Sequence, residues 1–293
     1  MDHGGDTERR PLSALRGLAL ACHLPPSLAV TAVATVLALD VGRGRSSIWV
    51  ALAVLAGQLS VGWSNDALDA SRDERAQRAS KPIVAGLVSR RVVGLSAFGA
   101  LLAAVPLSLA SGWRAAVVHL VALSLAWSYN LGLKATWASV VPYGIAFALL
   151  PAFVTLGLPG SPWPKAVVMV VAGLLGVGAH FLNTIADAAD DELTGVRGLP
   201  QRLGPRASLR AGVGIMALAA LGIGALVVAD AGADHHGLLT AVLVAAALGV
   251  DLVVLRAASR GRERVAWYGA LGSAGLCVLA FVTVGSSALL AVS

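Results

Sequence analysis

The sequence contains few charged residues, few aromatic residues and almost no cysteine. Charged residues make up 13% of its 293 positions, against roughly 25% in a typical soluble domain. The two cysteines, Cys22 and Cys277, both lie in apolar stretches, so neither a disulfide framework nor a zinc site has support. Aromatic residues amount to 5%, which leaves few large rings to shape a pocket. The sequence also has no His/Cys or Ser/His/Asp pattern that would indicate covalent catalysis.

Long apolar runs dominate the chain instead. It is 57% hydrophobic, with a mean hydropathy of +0.79, and about 20 apolar residues suffice to cross a bilayer. Such runs must be helices, because backbone groups cannot stay unpaired in lipid. The runs lie near 12–39, 47–65, 92–110, 113–130, 138–157, 165–186, 208–229, 237–255 and 266–291. The sequence therefore predicts an all-α, polytopic membrane bundle of nine transmembrane helices, with a short cytoplasmic segment at 1–11 and a single domain at 12–293.

The first apolar run is interrupted by Pro25-Pro26. Proline inside a helix predicts a kink or a late helix start at this point. A secretory signal peptide is the alternative for this segment. It is disfavoured, because the run is too long and contains polar residues such as His23.

The basic residues predict the orientation of the bundle. With the N-terminus inside, all but four of the 22 Lys and Arg residues fall on the inner side, as the positive-inside rule requires. The four outer residues are Arg43, Arg45, Arg114 and Lys165. The sequence thus predicts a multi-pass protein of the cell membrane, in contact with lipid and with a cytoplasmic N-terminus. The net charge of +6 reports this orientation and does not indicate a nucleic-acid partner.

Two acidic stretches follow the second and sixth predicted helices, "SNDALDASRDE" at 64–74 and "NTIADAADDELTG" at 183–195. Both helices are even-numbered, so both stretches face the cytoplasm. In each, one amide and two carboxylates recur every four residues, a spacing that places them on one helix face. The two sets are Asn65, Asp69 and Asp73, and Asn183, Asp187 and Asp191.

This pattern favours a metal-assisted phosphate site. Clustered carboxylates repel one another unless a cation lies between them, and carboxylate and amide oxygens suit Mg²⁺, which often shares its ligands with a phosphate. Interleaved basic residues are able to clamp a phosphate anion. They are Arg72, Arg78, Lys81, Lys134, Arg197 and Arg202. The alternative is a pair of ordinary polar loops with solvated acids, but two clusters with matched spacing on matched sides disfavour it.

At these residues the chain resembles the UbiA superfamily of intramembrane prenyltransferases. The first family motif, N-D-x-x-D-x-x-x-D, is met by Asn65, Asp66, Asp69 and Asp73. The second, N-x-x-x-D-x-x-x-D-x-x-x-G followed by L-P-x-R-L-G, is met by Asn183, Asp187, Asp191 and Gly195, and by Leu199, Pro200, Arg202, Leu203 and Gly204. The segment "SKPIVAGLVS" at 80–89 also resembles the loop that follows the first motif. The likeness covers almost the whole chain.

The resemblance implies a UbiA-like bundle that ionises a prenyl diphosphate with Mg²⁺ and transfers the prenyl group to an aromatic or other lipophilic acceptor. The implied metal ligands are Asn65, Asp66, Asp69, Asp73, Asn183, Asp187 and Asp191. The implied catalytic residues are Asp69, Asp73, Asp187, Asp191, Lys134 and Tyr129, and the implied diphosphate-binding residues are Arg72, Arg78, Lys81, Arg197 and Arg202.

Two other functions remain open at the level of sequence. Some members of the superfamily are terpene cyclases, which quench the carbocation within the prenyl chain itself. A transporter that uses the acids as an ion path belongs to another class. It is disfavoured, because transport sites tend to lie near the bilayer midplane whereas these acids lie at helix ends. The sequence determines neither the prenyl chain length nor the acceptor.

The chain departs from the family pattern at two places. The family often has Tyr-x-x-x-Lys after the fourth helix, but here Tyr129 and Lys134 are five residues apart. The extra residue rotates Lys134 by about 100° on an ideal helix, so its role depends on a backbone turn at this point. Many members also carry an Arg shortly before the first-helix Pro, where this chain has His23. His23 is either a weaker phosphate-binding cation or a polar residue bonded inside the bundle.

Overall fold

The computed structural model describes residues 14–186, 195–229, 235–284 and 290. These residues form α-helices joined by short turns, with no β-strand among them. The helices are α1 (Ala14–Ala21), α2 (Leu24–Asp40), α3 (Ser47–Arg75), α4 (Arg90–Leu109), α5 (Trp113–Leu131), α6 (Val140–Thr155), α7 (Ala166–Ala186), α8 (Leu199–Leu203), α9 (Pro205–Ala229), α10 (His235–Ser259) and α11 (Glu263–Val282). The predicted N-terminal segment at 1–11 lies outside the described residues.

Several of these helices are long and apolar enough to cross a bilayer, so the chain is an integral membrane protein. In the described part of the chain, seven helices meet both conditions, and an eighth span results if α1 and α2 count as one. The 19-residue α5 is not among these candidates. The all-α membrane bundle is confirmed, whereas the predicted number of nine spans is not.

The first apolar run is bent where the sequence predicts. α1 and α2 meet at 61°, and α2 begins at Leu24 with Pro25 and Pro26 in its first turn. His23 caps α2 in the left-handed conformation, with φ 52°. The bend directs the His23 side chain towards the half of α3 that carries Asp66.

Small residues allow the helices to approach closely. A Cβ atom on Gly62 of α3 would lie 2.4 Å from the Cys22 carbonyl oxygen at the α1–α2 bend. A Cβ atom on Gly176 of α7 would lie 2.7 Å from the Tyr143 carbonyl oxygen of α6. Successive helices pack side by side, and α11 returns to contact α2 and α7. The bundle is therefore closed around a core that consists mainly of Ala, Val and Leu.

Two helix ends and one turn place polar groups at the same end of the bundle. α3 runs for 29 residues and carries its acids in its last three turns. α5 ends at Leu131 and passes through the short 3₁₀ turns Leu133–Ala135 and Trp137–Ser139 into α6. The candidate site lies where this turn meets α3.

Candidate active site

The first cluster, Asn65, Asp66, Asp69 and Asp73, is divided between two neighbouring faces of α3. Asn65 and Asp69 are one turn apart on one face, and Asp66 and Asp73 are two turns apart on the next. Asp66 and Asp73 are each 2% exposed, whereas the side chain of Asp69 is 16% exposed. Asp69 is thus the most accessible carboxylate of the first cluster.

Lys134 links the two residues of the accessible face. Its Nζ donates to Asn65 Oδ1 at 3.0 Å and also to Asp69 Oδ2. The extra residue between Tyr129 and Lys134 is absorbed at Gly132, whose φ of 151° ends α5 and is strained for any residue with a Cβ atom. The sequence predicts a site role for Lys134 only if the backbone turns between Tyr129 and Lys134. Gly132 provides that turn. Two hard oxygens that converge on one cationic nitrogen also fit the ligand set that Mg²⁺ prefers.

The other predicted cations around the first cluster each hold a carboxylate. Arg72 Nη1 lies 3.0 Å from Asp69 Oδ1, Arg78 Nη1 lies 3.1 Å from Asp73 Oδ1, and Lys81 Nζ lies 2.8 Å from Asp66 Oδ1. With Lys134, four cations face three carboxylates. The structure therefore brings four of the six predicted phosphate-binding cations together at the first cluster.

His23 adds a further polar contact to the first cluster. Its Nε2 lies 3.5 Å from Asp66 Oδ1, and its side chain is 48% exposed. His23 is therefore a partner of one of the two buried acids, in line with the bonded role that the sequence left open.

The second cluster is described only at its first residue. Asn183 lies exposed near the end of α7, and Asp187 and Asp191 fall outside the described residues. Within 14–186, 195–229, 235–284 and 290, no three His, Cys, Asp or Glu side chains gather closely enough to hold a metal ion. The first cluster thus does not form such a group by itself.

The residues that follow the second cluster pack directly on the turn that carries Lys134. A Cβ atom on Gly198 would lie 2.6 Å from the Lys134 carbonyl oxygen, so only glycine allows this approach. The Leu199 N–H donates to Ser139 Oγ at 3.0 Å. The chain on either side of 187–194 therefore lies at the same end of the bundle as the first cluster.

Arg197 and Arg202 line a cavity together with Trp137, which lies in the turn between Lys134 and α6. The cavity has a volume of about 500 Å³ and is bounded by the end of α7, α8 and the start of α9. Arg202 Nε donates to the Arg197 carbonyl oxygen at 2.7 Å, and its guanidinium group lies 4.9 Å above the Trp137 ring. Neither arginine pairs with a carboxylate among the described residues. Their predicted role at the diphosphate stays a prediction.

Aromatic rings extend from the polar end of the site into the bundle. The Tyr129 ring meets Tyr143 edge-on at 5.2 Å, and Tyr143 stacks on the His180 ring at 4.6 Å. Phe147 continues the row 6.4 Å from Tyr143. Because aromatic faces attract cations, this row suits a positively charged hydrocarbon. His180 also contacts Ser139 Oγ at 3.2 Å.

Sequence reasoning missed two residues that hold the site together. Asn130 Nδ2 donates to the Val61 carbonyl oxygen at 2.9 Å and to Ser64 Oγ at 2.8 Å, which fixes α5 against α3. Ser139 joins His180 to the backbone of Leu199. The signal for Asn130 was an amide in an apolar run next to Tyr129. Nothing in the sequence around Ser139 distinguished it from an ordinary turn residue.

Comparison with known proteins identifies the family. The sequence model of the UbiA prenyltransferase family matches residues 23–273. The chain belongs to the UbiA prenyltransferase family. A bacteriochlorophyll synthase 33 kDa chain from Cereibacter sphaeroides is 30% identical, over 79% of this chain and 80% of the relative. Together these matches establish a transferase that moves prenyl groups.

Solved structures of UbiA homologues share the fold. A UbiA homologue from Archaeoglobus fulgidus bound to DMAPP and Mg²⁺ superposes with a TM-score of 0.66 at 15% identity, over 94% of this chain and 98% of the homologue. The same homologue bound to GPP and Mg²⁺ gives a TM-score of 0.65 at 15% identity, over 92% of this chain and 99% of the homologue. These superpositions confirm the UbiA-like bundle that the sequence predicts.

Proposed function

We propose that this UbiA enzyme uses Mg²⁺ to ionise a prenyl diphosphate at the cytoplasmic end of its bundle and transfers the prenyl group to a lipophilic acceptor. One observation carries the proposal most directly. Lys134 bridges Asn65 and Asp69 of the first cluster, and the same turn packs against Gly198, which follows the second cluster. We infer from this packing that a single diphosphate binds between the two clusters.

The solved homologues support the substrate class. One UbiA homologue holds DMAPP with Mg²⁺ and also GPP with Mg²⁺, and the fold of this chain matches it over nearly the full length. The acid and amide oxygens of the two clusters have the hard character that Mg²⁺ requires. When bound there, Mg²⁺ supplies positive charge that stabilises the diphosphate as it leaves.

The four cations at the first cluster have a second role in this proposal. Arg72, Arg78, Lys81 and Lys134 neutralise carboxylates, and in this proposal they also contact phosphate oxygens of the bound substrate. Negative charge on the diphosphate grows as the C–O bond breaks, so these cations stabilise the transition state more than the ground state. They thereby lower the barrier to ionisation.

The row of Tyr129, Tyr143 and Phe147 receives the allylic cation. Its rings lead from Lys134 towards the apolar interior, where the bundle excludes water that would otherwise capture the cation. The cation is then attacked by the acceptor.

The orientation of the bundle in the membrane follows from the positive-inside distribution of its basic residues. We therefore place the site on the cytoplasmic face of the cell membrane, with the N-terminus inside.

Mg²⁺ dependence and product identity test this function together. Purified protein in lipid nanodiscs is incubated with geranyl, farnesyl or geranylgeranyl diphosphate, with Mg²⁺ or with EDTA. We expect EDTA to lower diphosphate release by at least about 100-fold, because metal-borne charge is usually worth several kcal/mol in the transition state. Added Mg²⁺ restores the release. Equal release in EDTA would contradict the proposal.

Acceptor dependence distinguishes transfer from cyclisation in the same assay. The acceptors are hydroxylated aromatic acids, naphthoquinols and a chlorin acid, chosen because they are lipophilic nucleophiles. Transfer predicts a prenylated adduct that forms only when an acceptor is present. Diphosphate release that yields a cyclic hydrocarbon or alcohol without an acceptor would instead establish a terpene cyclase.

A further inference from the structure

A second, smaller cavity lies deeper in the bundle, between α2, α3, α5 and α6. Its volume is about 70 Å³, and its walls are mostly apolar. Phe147, the inner end of the aromatic row, forms part of the wall. Two polar side chains, Gln58 of α3 and His119 of α5, also line it. Polar groups on an otherwise apolar wall call for an explanation, since unpaired polar groups in a bundle interior are unfavourable.

The tautomer of His119 is set by its neighbours. His119 Nδ1 lies 2.7 Å from Ser108 Oγ, and the Ser108 hydroxyl donates its proton to the Ala104 carbonyl oxygen. A hydroxyl has one proton, and a carbonyl oxygen cannot donate. His119 Nδ1 must therefore carry the N–H that Ser108 Oγ accepts, and Nε2 of the neutral ring is left as an acceptor.

The free acceptor of His119 faces the cavity. A Cβ atom on Gly57, which also lines the cavity, would lie 3.4 Å from His119 Nε2. The residue is 7% exposed, and its ring stacks on Phe153 at 4.5 Å, so the orientation of the ring is fixed. Within the described part of the chain, neither Nε2 nor the Gln58 amide has a hydrogen-bond partner.

We propose that this cavity recognises the acceptor, and that His119 Nε2 and the Gln58 amide bind a hydroxyl group on it. The inference rests on the proposed function and names the chemistry of its second substrate. A prenyl tail is a pure hydrocarbon and would leave both polar groups unpaired, whereas a hydroxyl group donates to Nε2 and accepts from the amide. Gln58 precedes Asn65 by seven residues, which is about 10 Å along α3. The acceptor is thus a lipophilic molecule whose hydroxyl lies about that far from its nucleophilic atom.

A matched pair of probes tests this site without prenyl diphosphate or metal. 1-Naphthol and 1-methylnaphthalene have nearly the same shape and differ in the hydroxyl group. Their binding to the protein in nanodiscs is measured by titration calorimetry, with empty nanodiscs as the reference for partition into lipid. We expect the wild-type protein to prefer 1-naphthol by about fivefold beyond that reference, the size of one net hydrogen bond.

Two variants and a control separate the site from general effects. His119→Phe keeps a stacked ring but removes the acceptor, and Gln58→Leu keeps the volume but removes the amide. Each is expected to lose most of the preference, while Ser273→Ala, a polar-to-apolar change on α11, keeps it. A preference that is absent from the wild type, or that persists in both cavity variants, would overturn the inference. The binding assay needs no turnover, so its result is independent of Mg²⁺-dependent diphosphate release. Loss of the naphthol preference with intact diphosphate release contradicts this inference alone, and loss of diphosphate release with an intact preference contradicts the proposed function alone.

Discussion

Replacing Asp69 with asparagine is expected to lower kcat/KM for prenyl diphosphate cleavage by about 10²–10³-fold, the usual loss when one preorganised electrostatic group is removed. Asp69 is the carboxylate that both Lys134 and Arg72 contact. Asparagine keeps its shape and one hydrogen-bonding oxygen but loses the charge that a divalent cation requires. Diphosphate release at saturating Mg²⁺ measures the effect, and Asp187→Ala is expected to act in the same direction.

A buried aspartate elsewhere in the membrane provides the matched control. Asp251 of α10 is 4% exposed and lies beside Ser273 of α11 rather than beside a residue of the first cluster, so Asp251→Asn makes the same chemical change outside the site. We expect it to retain activity. If Asp69→Asn and Asp187→Ala both retained activity in folded protein, the assignment of the acid clusters would be wrong.

Replacing Lys134 with methionine is expected to lower kcat/KM by about 10²-fold. The change removes the cation that joins Asn65 to Asp69 while it keeps a long side chain of similar volume. Lys134→Arg is expected to restore little activity, because a planar guanidinium group cannot replace a compact ammonium group between two oxygens. Diphosphate release and thermal unfolding are measured on the same samples.

Lys165→Met is the control for this charge removal, since Lys165 lies at the start of α7, at the other end of the bundle from Lys134. It is expected to leave the rate unchanged. Near wild-type activity in Lys134→Met would show that the hydrogen bonds from Lys134 to Asn65 and Asp69 do not contribute to diphosphate cleavage.

The first cluster was predictable because its geometry is local. Asn65 and Asp69 are four residues apart, and a helix places them on one face. Over the eight residues from Asn65 to Asp73 the helix turns about 80° further, so Asp73 lies beside Asp66 on the neighbouring face rather than on the predicted shared face. Arg72 and Arg78 come three and five residues after the acids that they contact, whereas Lys81 contacts Asp66 across 15 residues. Short sequence separation thus brings Arg72 and Arg78 close to the acids, although the sequence predicts a phosphate anion as the partner of these cations rather than a carboxylate.

Other parts of the site depend on contacts between distant segments. The placement of Lys134 results from the break at Gly132 and the packing of Gly198 on that turn, neither of which spacing alone determines. Arg202 lies over Trp137 because α8 folds back on the turn before α6. The number of spans was also uncertain, since apolar composition does not determine which helices cross the bilayer in full.

The convergence of the two acid clusters is the central claim, and crosslinking tests it most directly. Asp69→Cys and Asp187→Cys are combined in a protein whose native Cys22 and Cys277 are replaced by alanine, and a short bismaleimide is added. The account predicts an efficient intramolecular link between the two cysteines. A second pair, Asp69→Cys with Val167→Cys, is expected to stay unlinked, because Val167 lies at the start of α7, about 24 Å along the helix from Asn183 near its other end. If each single cysteine reacted but the first pair gave no link, the two clusters would not share one site.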